Sequence, residues 1–316
     1  MAAQSSAPSY LEPSVLGTKE YWDKLYEKEL SNHAENPEDE GTVWFDDSDA
    51  EAKIVAFLDE REQEEQQQEL AQDGNDGEGV ESSNHKKGLG RRLDRRTASV
   101  LDLGCGNGSL LFALHDDGWT GRLVGVDYSE RSVELARAVG RERRRRRRLG
   151  LGSDDDEEEM EEQGQGKKPE TETGEDDDEK EDVSFQVFDI LRSPASLLSP
   201  DPSFPGWDLV LDKGTFDAIS LSPEIDPATG RRAFEGYGAR VLALLRTGGL
   251  FVVTSCNWTE EELKVWFDGC SSSAEGGRRG AAKLKLAGRI EYPSFSFGGV
   301  KGQTISTLCF EKVGGD

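Results

Sequence analysis

The segment VLDLGCGNG, residues 100–108, constrains this chain more than any other. An apolar run stops on glycines at 104, 106 and 108, and a helix-like pattern follows. This order predicts a buried strand, a tight turn and a helix N-terminus. Glycine there allows backbone angles and a close ligand approach that a Cβ would block. The helix start adds free N–H groups and the positive end of a dipole.

The rest of the pattern repeats that unit. Strands are expected at 98–103, 121–126, 183–190, 207–212 and 250–255, and helices at 108–117, 129–140, 231–246 and 259–269, with TGG at 247–249 as a glycine-rich helix end. Alternation of this kind predicts an α/β, Rossmann-like core with parallel strands. Segments 283–292 and 303–312, joined by a glycine-rich loop, are expected to pair antiparallel at one sheet edge. Upstream, residues 18–30 place Tyr21, Trp22, Leu25, Tyr26 and Leu30 at helical spacing behind Thr18 as N-cap. After VWF at 43–45, a second helix is expected at 49–60 around Ile54, Val55, Phe57 and Leu58.

Three stretches lack this apolar periodicity. Residues 1–13 are expected to be disordered, 61–96 to form a low-complexity insertion, and 141–182 a charged disordered insertion containing the arginine run 143–148. The expected division is then residues 14–60 as N-terminal helices capping the active site, with 97–140 and 183–316 as the catalytic core. The formal net charge of -26 disfavours non-specific attraction to nucleic acid or anionic membrane. The four cysteines form no C-x-x-C pair and the three histidines are scattered, so no metal site is expected. No apolar run approaches the ~20 residues of a membrane span. No basic region followed by an apolar one marks the N-terminus as a secretory signal. A monomeric cytoplasmic protein is expected, with room for a nuclear fraction.

The glycine loop itself separates two cofactor classes. A dinucleotide fingerprint starting at Gly104 needs its third glycine at 109, where Ser109 stands. Asp102, just before the glycines, suits a ligand with a cationic end, as S-adenosylmethionine has. Asp102, Gly104, Cys105, Gly106, Asn107 and Gly108 therefore form the candidate cofactor loop. Asp127 ends the second strand about 20 residues on, where a carboxylate accepts ribose hydroxyls. Tyr128 is placed beside the nucleoside. At the third strand's end, Asp189 is a candidate acceptor for the adenine amino group and Ile190 a packing surface for the ring.

On the fourth strand, WDLVLDKGTFDAI (207–219) puts Asp212 and Lys213 where a transferred group would lie. Neither a nucleophile elbow nor a G-x-x-x-x-G-K-[ST] phosphate loop is present. The segments LGTKEYWDKLYEKEL (16–30), VWF (43–45), LDLGCGNGSLLFAL (101–114), LDKGTFDAI (211–219) and TSCNWTEEEL (254–263) together resemble one family. It is the class I protein-lysine methyltransferases that modify translation elongation factor 1-alpha. The likeness covers both ends of the chain and skips the two insertions. It implies a seven-stranded, mostly parallel sheet with strand seven antiparallel between five and six, and S-adenosylmethionine as cofactor. It also implies cofactor contacts at Gly104, Gly106, Asp127, Asp189 and Ile190, with Asp212 and Lys213 near the target amine.

Methyl transfer to lysine needs a neutral, aligned amine in a partly apolar channel. Trp22, Trp44, Phe45, Phe216, Asn257 and Trp258 are the candidate channel wall, and Asp212 the group that positions the amine. Other readings are a methyltransferase of the same fold acting on another protein, nucleic acid or small molecule, an NAD-binding oxidoreductase, or a non-enzymatic binding module. DKGT stands where an N-P-P-[YF] tetrapeptide would mark amino groups of bases or glutamine, so no direct nucleic-acid contact is expected.

Overall fold

The computed structural model describes residues 10–73, 93–150, 182–271, 281–297 and 300–314. Its strands are β1 (Ser99–Leu103), β2 (Arg122–Asp127), β3 (Val183–Val187), β4 (Trp207–Lys213), β5 (Leu245–Ser255), β6 (Lys283–Ile290), β7 (Ser294–Phe297), β8 (Val300–Gln303) and β9 (Ser306–Val313). Its helices are α1 (Lys19–Glu35), α2 (Ala50–Asp73), α3 (Ser109–Asp116), α4 (Glu130–Leu149), α5 (Thr215–Ser220), α6 (Tyr237–Leu244) and α7 (Glu260–Phe267). One sheet takes the order β3-β2-β1-β4-β5-β9-β6, and β7 pairs β8 in a separate hairpin. β1 to β5 run parallel, while β9 runs antiparallel between β5 and β6. This is the expected class I arrangement, with the sheet's seventh strand reversed.

Side chains alternate across the central strands, as the period of two requires. Val100 of β1 and Leu211 of β4 face one core with Ile54, Leu58, Leu111 and Leu135. Leu101, Leu103 and Val210 face the other with Tyr237, Val241, Leu263 and Phe267. Helices therefore cover both faces, and only the strand ends remain open.

Four expectations need correction. α2 does not stop near residue 60 but runs to Asp73. Its extension is rich in Glu and Gln, both good helix formers, so low apolar content did not imply disorder there. Residues 93–96 pack as well: Arg95 meets Asp59 at 2.7 Å, Glu62 at 2.7 Å and Asp117 at 3.2 Å. The arginine run is the C-terminal part of α4 and not a loop. Arg143 bonds Glu40 and Asp116, Arg146 bonds Glu38, and Arg145 pairs with Glu142 one turn back. Cations at a helix C-terminus also oppose its dipole favourably. Residues 247–249 do not end a helix, because α6 stops at Leu244 and TGG lies inside β5. There the pairing jumps from Trp207–Leu245 to Leu209–Leu250, a bulge that accommodates the buried Arg246–Asp208 ion pair. Within the first segment, Tyr10 packs edge-on to Phe234 and stacks near Trp266. Residues 1–9, 74–92 and 151–181 of the three aperiodic stretches lie outside the described residues. Among the described residues, no helix is long and apolar enough to cross a membrane.

Arg95 joins α2, the approach to β1 and the end of α3. Arg95→Ala leaves the buried Glu62 without its cation, and is expected to lower the unfolding free energy by about 2 kcal/mol in chemical denaturation. A loss within experimental error would show that the three carboxylates are satisfied without it.

Candidate active site

The strand C-termini open into a cavity of about 610 Å³. Its wall follows the sheet order. Phe188, Asp189 and Ile190 come from beyond β3, Asp127 and Tyr128 from β2, and Leu103 and Gly104 from β1. Lys213, Gly214, Thr215 and Asp217 come from β4 and α5, and Cys256 and Asn257 from beyond β5. The roof is N-terminal: Leu16–Glu20, Trp22, Tyr26, Trp44 and Phe45.

The floor depends on a close approach. Gly104 has φ +67°, and a Cβ there would lie 2.0 Å from Thr215 Oγ1. That hydroxyl donates to Leu103 O at 2.6 Å, tying α5 to the glycine loop. Gly17 is equally tight, since a Cβ would lie 2.3 Å from the Leu221 carbonyl. Ser14 N donates to the same carbonyl at 3.1 Å, which holds the N-terminal segment over the cavity.

Asp127 accepts from Ser129 N at 2.8 Å and, more loosely, from Gly106 N at 3.4 Å. Burial outweighs these donors and raises its carboxyl to about 6. Asp189 accepts from Leu191 N and Arg192 N and pairs with the Arg192 guanidinium at 2.8 Å. Arg192 reaches on to Glu224 at 2.6 Å, so an ion-paired rim crosses that end of the cavity.

The other glycine-loop side chains do not reach the wall. Asn107 donates to Glu40 O at 2.9 Å, fastening the N-terminal loop. Cys105 is buried, and burial pushes its thiol well above the usual range. Asp102 is buried as well and raised by desolvation, with the Lys213 charge opposing the shift. Gly106 and Gly108 take positive φ and shape the turn.

The proposed channel divides. Trp44, Phe45 and Asn257 are on the wall, as is Trp22. Phe216 and Trp258 are core residues instead, 1% and 2% exposed, with their rings 6.0 Å apart. Phe216 points into the face that holds Tyr237 and Phe267, because α5 turns that side of its first turn inward. Asp212 also points away from the wall. Its carboxylate accepts from Thr215 N at 2.8 Å, Phe216 N at 3.0 Å and Tyr237 Oη at 2.5 Å. It anchors α5 and leaves no oxygen facing the cavity. Lys213, next on β4, points to the opposite face. It donates to Trp44 O at 3.0 Å and sits 3.3 Å from Glu51, which accepts from Ser109.

That contact supports unusual backbone. Phe45 and Asp49 have φ +65° and +55°, the positive-φ non-glycine residues of the described chain. Such angles cost about 1–2 kcal/mol per residue and call for support from their surroundings. Asp217, Thr215 and the rim pair Arg192–Glu224 were not singled out in the sequence. An acid two residues into the helix after β4 was the available signal for Asp217. Among the described residues, no cluster of three or more His, Cys, Asp or Glu side chains could hold a metal ion.

A family model described as a methyltransferase domain matches residues 94–153. The chain is 35% identical to the protein-lysine N-methyltransferase EFM4 of Saccharomyces cerevisiae, over 96% of both chains. It is 33% identical to efm4 of Schizosaccharomyces pombe, again over 96% of both. It is 28% identical to EEF1A lysine methyltransferase 2 of Homo sapiens, over 95% of this chain and 88% of that one.

Burial raises Asp212 from the usual value near 3.8 to about 7. A raised carboxyl contributes stability that is complete below pH ~4 and lost as pH rises through about 7. Asp212→Asn does not titrate. Its melting temperature relative to the unmodified protein is expected to rise between pH 4 and 7 and then level off. Parallel melting profiles across that window would mean that the acid is ionised throughout.

Proposed function

This chain belongs to the family of the EFM4 protein-lysine N-methyltransferases, and from that premise we propose that it moves a methyl group from S-adenosylmethionine to a lysine of translation elongation factor 1-alpha. It acts there as a cytoplasmic monomer. The target is argued from the vertebrate relatives, which are named for EEF1A. The observation that carries the reading is the order of groups along the cavity. Asp127, Tyr128, Phe188, Asp189 and Ile190, which suit a nucleoside, line the β3–β1 side, and an aromatic, partly closed space lies over β4 and β5.

The residues present fit the cofactor. Asp127 keeps free acceptor capacity toward the cavity, as two ribose hydroxyls require. Phe188 and Ile190 offer an apolar slot for a purine ring, and Tyr128 stands beside it. Asp189 can accept from an adenine amino group once the exposed Arg192 swings aside. The Gly104 turn gives backbone access at the β1 end. When bound, S-adenosylmethionine supplies a methyl group on cationic sulfur, with a neutral thioether as leaving group.

The protein's own work is alignment and control of the amine. A free lysine has a pKa near ~10.4 and is cationic at neutral pH. Trp22, Trp44 and Phe45 surround the space over β4 with apolar surface, which favours the neutral amine by desolvation. Holding amine and methyl in line supplies much of the remaining acceleration. Lys213 serves this arrangement from behind, by fixing the Trp44 carbonyl and with it the strained turn that presents Phe45.

Incubation with labelled S-adenosylmethionine and purified elongation factor 1-alpha is expected to label one lysine, located by mass spectrometry. Asp127→Ala is expected to weaken S-adenosylmethionine binding at least tenfold in calorimetry, about 1.4 kcal/mol. Binding with no label on the elongation factor would retain the cofactor and overturn the substrate; no binding would overturn both. Lys213→Gln is expected to raise KM for the protein substrate about tenfold, with the cofactor Kd within twofold. Equal losses in both constants would place Lys213 in the cofactor site instead.

A further inference from the structure

With the nucleoside assigned to the β3–β1 side in the reading above, the wall over β4 and β5 is where an acceptor amine enters. Among the described residues, the ionisable side chains that β4, α5 and the turn after β5 bring to that part of the wall are Lys213, Asp217 and Cys256, while Glu224 is paired with Arg192 and Glu20 belongs to the roof. Lys213 is a cation already engaged by Trp44 O and Glu51, and it repels an ammonium. Cys256 has a thiol that burial and the nearby Asp217 push up to about 12, so it stays neutral. Asp217 is the carboxylate that remains. It is 5% exposed and sits in the first turn of α5, on the cavity wall that Asp212 does not reach.

Its setting is built. Asp217 accepts from the Ser255 hydroxyl through one oxygen and from Cys256 N, at 2.8 Å, through the other. Ser255 Oγ in turn accepts from Trp258 N at 2.9 Å and Asn257 N at 3.2 Å. The carboxylate is thus held at a fixed angle by β5 and its following turn. The Cys256 thiol and Asn257 N lie close as well and, like these two donors, favour the ionised carboxylate.

We propose that Asp217 receives the substrate lysine ammonium and takes its proton before methyl transfer. One N–H bond of the ammonium breaks, its electron pair stays on nitrogen, and the proton passes to a carboxylate oxygen of Asp217. The freed lone pair then faces the methyl donor across the aromatic enclosure. This assignment rests on the lysine-methyltransferase reading above and replaces Asp212 as the amine-binding carboxylate. Burial raises Asp217 above the usual carboxylate range, which brings it nearer to proton exchange at neutral pH. The ionisable groups around it are the Cys256 thiol from the β5 turn, Asp212 on β4 and, beyond Cys256, Asp47 of the strained turn.

Two variants of the full chain test this against a merely structural clamp. Asp217→Asn is nearly isosteric. It is expected to bind S-adenosylmethionine within twofold of the unmodified protein, to melt at a similar temperature, and to lose at least a hundredfold in kcat/KM for elongation factor 1-alpha. Ser255→Ala keeps the carboxylate but removes a donor that favours its ionised form. The acid limb of its kcat/KM profile is expected to move to higher pH. An Asp217→Asn variant within threefold of the original activity would overturn the assignment. So would an acid limb unmoved in Ser255→Ala, a readout that stands even where Asp217→Asn fails to fold. Absence of S-adenosylmethionine binding by the unmodified protein would instead remove the reading on which the proposal rests.

Discussion

The chain travels outward from β1 to β3, returns across the sheet and continues outward from β4, so β1 and β4 are neighbours with connections that leave in opposite directions. α3 packs on one face and α5 turns into the other, and the crevice between them is where open α/β sheets bind ligands. That crevice is only as deep as the two loops allow. Thr215 reaches over the Gly104 turn to bond Leu103 O, and a Cβ at Gly104 would collide with it. The N-terminal segment then closes the top by three fastenings, Ser14 N to Leu221 O, Asn107 to Glu40 O and Lys213 to Trp44 O. The cavity is therefore a product of connection order first and of side chains second.

Burial of carboxyl groups gives that cavity its electrostatic character. Asp102, Asp127, Asp212 and Asp217 all lie at or just beyond strand ends, and desolvation raises each of them. Backbone amides and hydroxyls offset part of the penalty without cancelling it. Groups held near neutrality respond strongly to a neighbouring charge. A cationic ligand entering the cavity favours their ionised forms, and by linkage those forms bind the cation more tightly. A site for a sulfonium cofactor and an ammonium substrate gains from both directions of this coupling.

Much of this was legible in the chain because periodicity and glycine spacing act locally. The sequence around 100–108 specified strand, turn and helix together, and the acids at 127 and 189 followed from strand ends. What remained hidden depends on contacts between distant segments. DKGT marks the end of β4, but the side to which each residue points follows only from strand parity. Leu211 and Lys213 share one face, Val210 and Asp212 the other. Applied to the sequence, that parity would have turned Asp212 toward the second core. The arginine run read as loop because its carboxylate partners, Glu38, Glu40 and Asp116, come from elsewhere in the chain. The extension of α2 was missed for a related reason. A helix made by propensity and one buried ion pair shows almost no apolar stripe.

The same topology explains why long insertions and a cavity of this kind can share one domain. In a parallel sheet the crossover helices run against the strands, so their C-termini return to the strands' N-terminal edge. α4 ends there at Leu149 before the chain re-enters at β3, and residues 93–98 lead there into β1. The described residues on either side of 151–181, and those that follow 74–92, therefore lie at, or lead to, the edge opposite the cavity. The β7–β8 hairpin belongs to the other edge. It follows β6 and precedes β9, and just after it Thr304 lies 3.1 Å from Ser48 of the strained turn. Thr304 thus ties the turn that carries Phe45 to the segment between the hairpin and β9. The roof over the ends of β4 and β5 is therefore where the N-terminal segment and the strained turn meet.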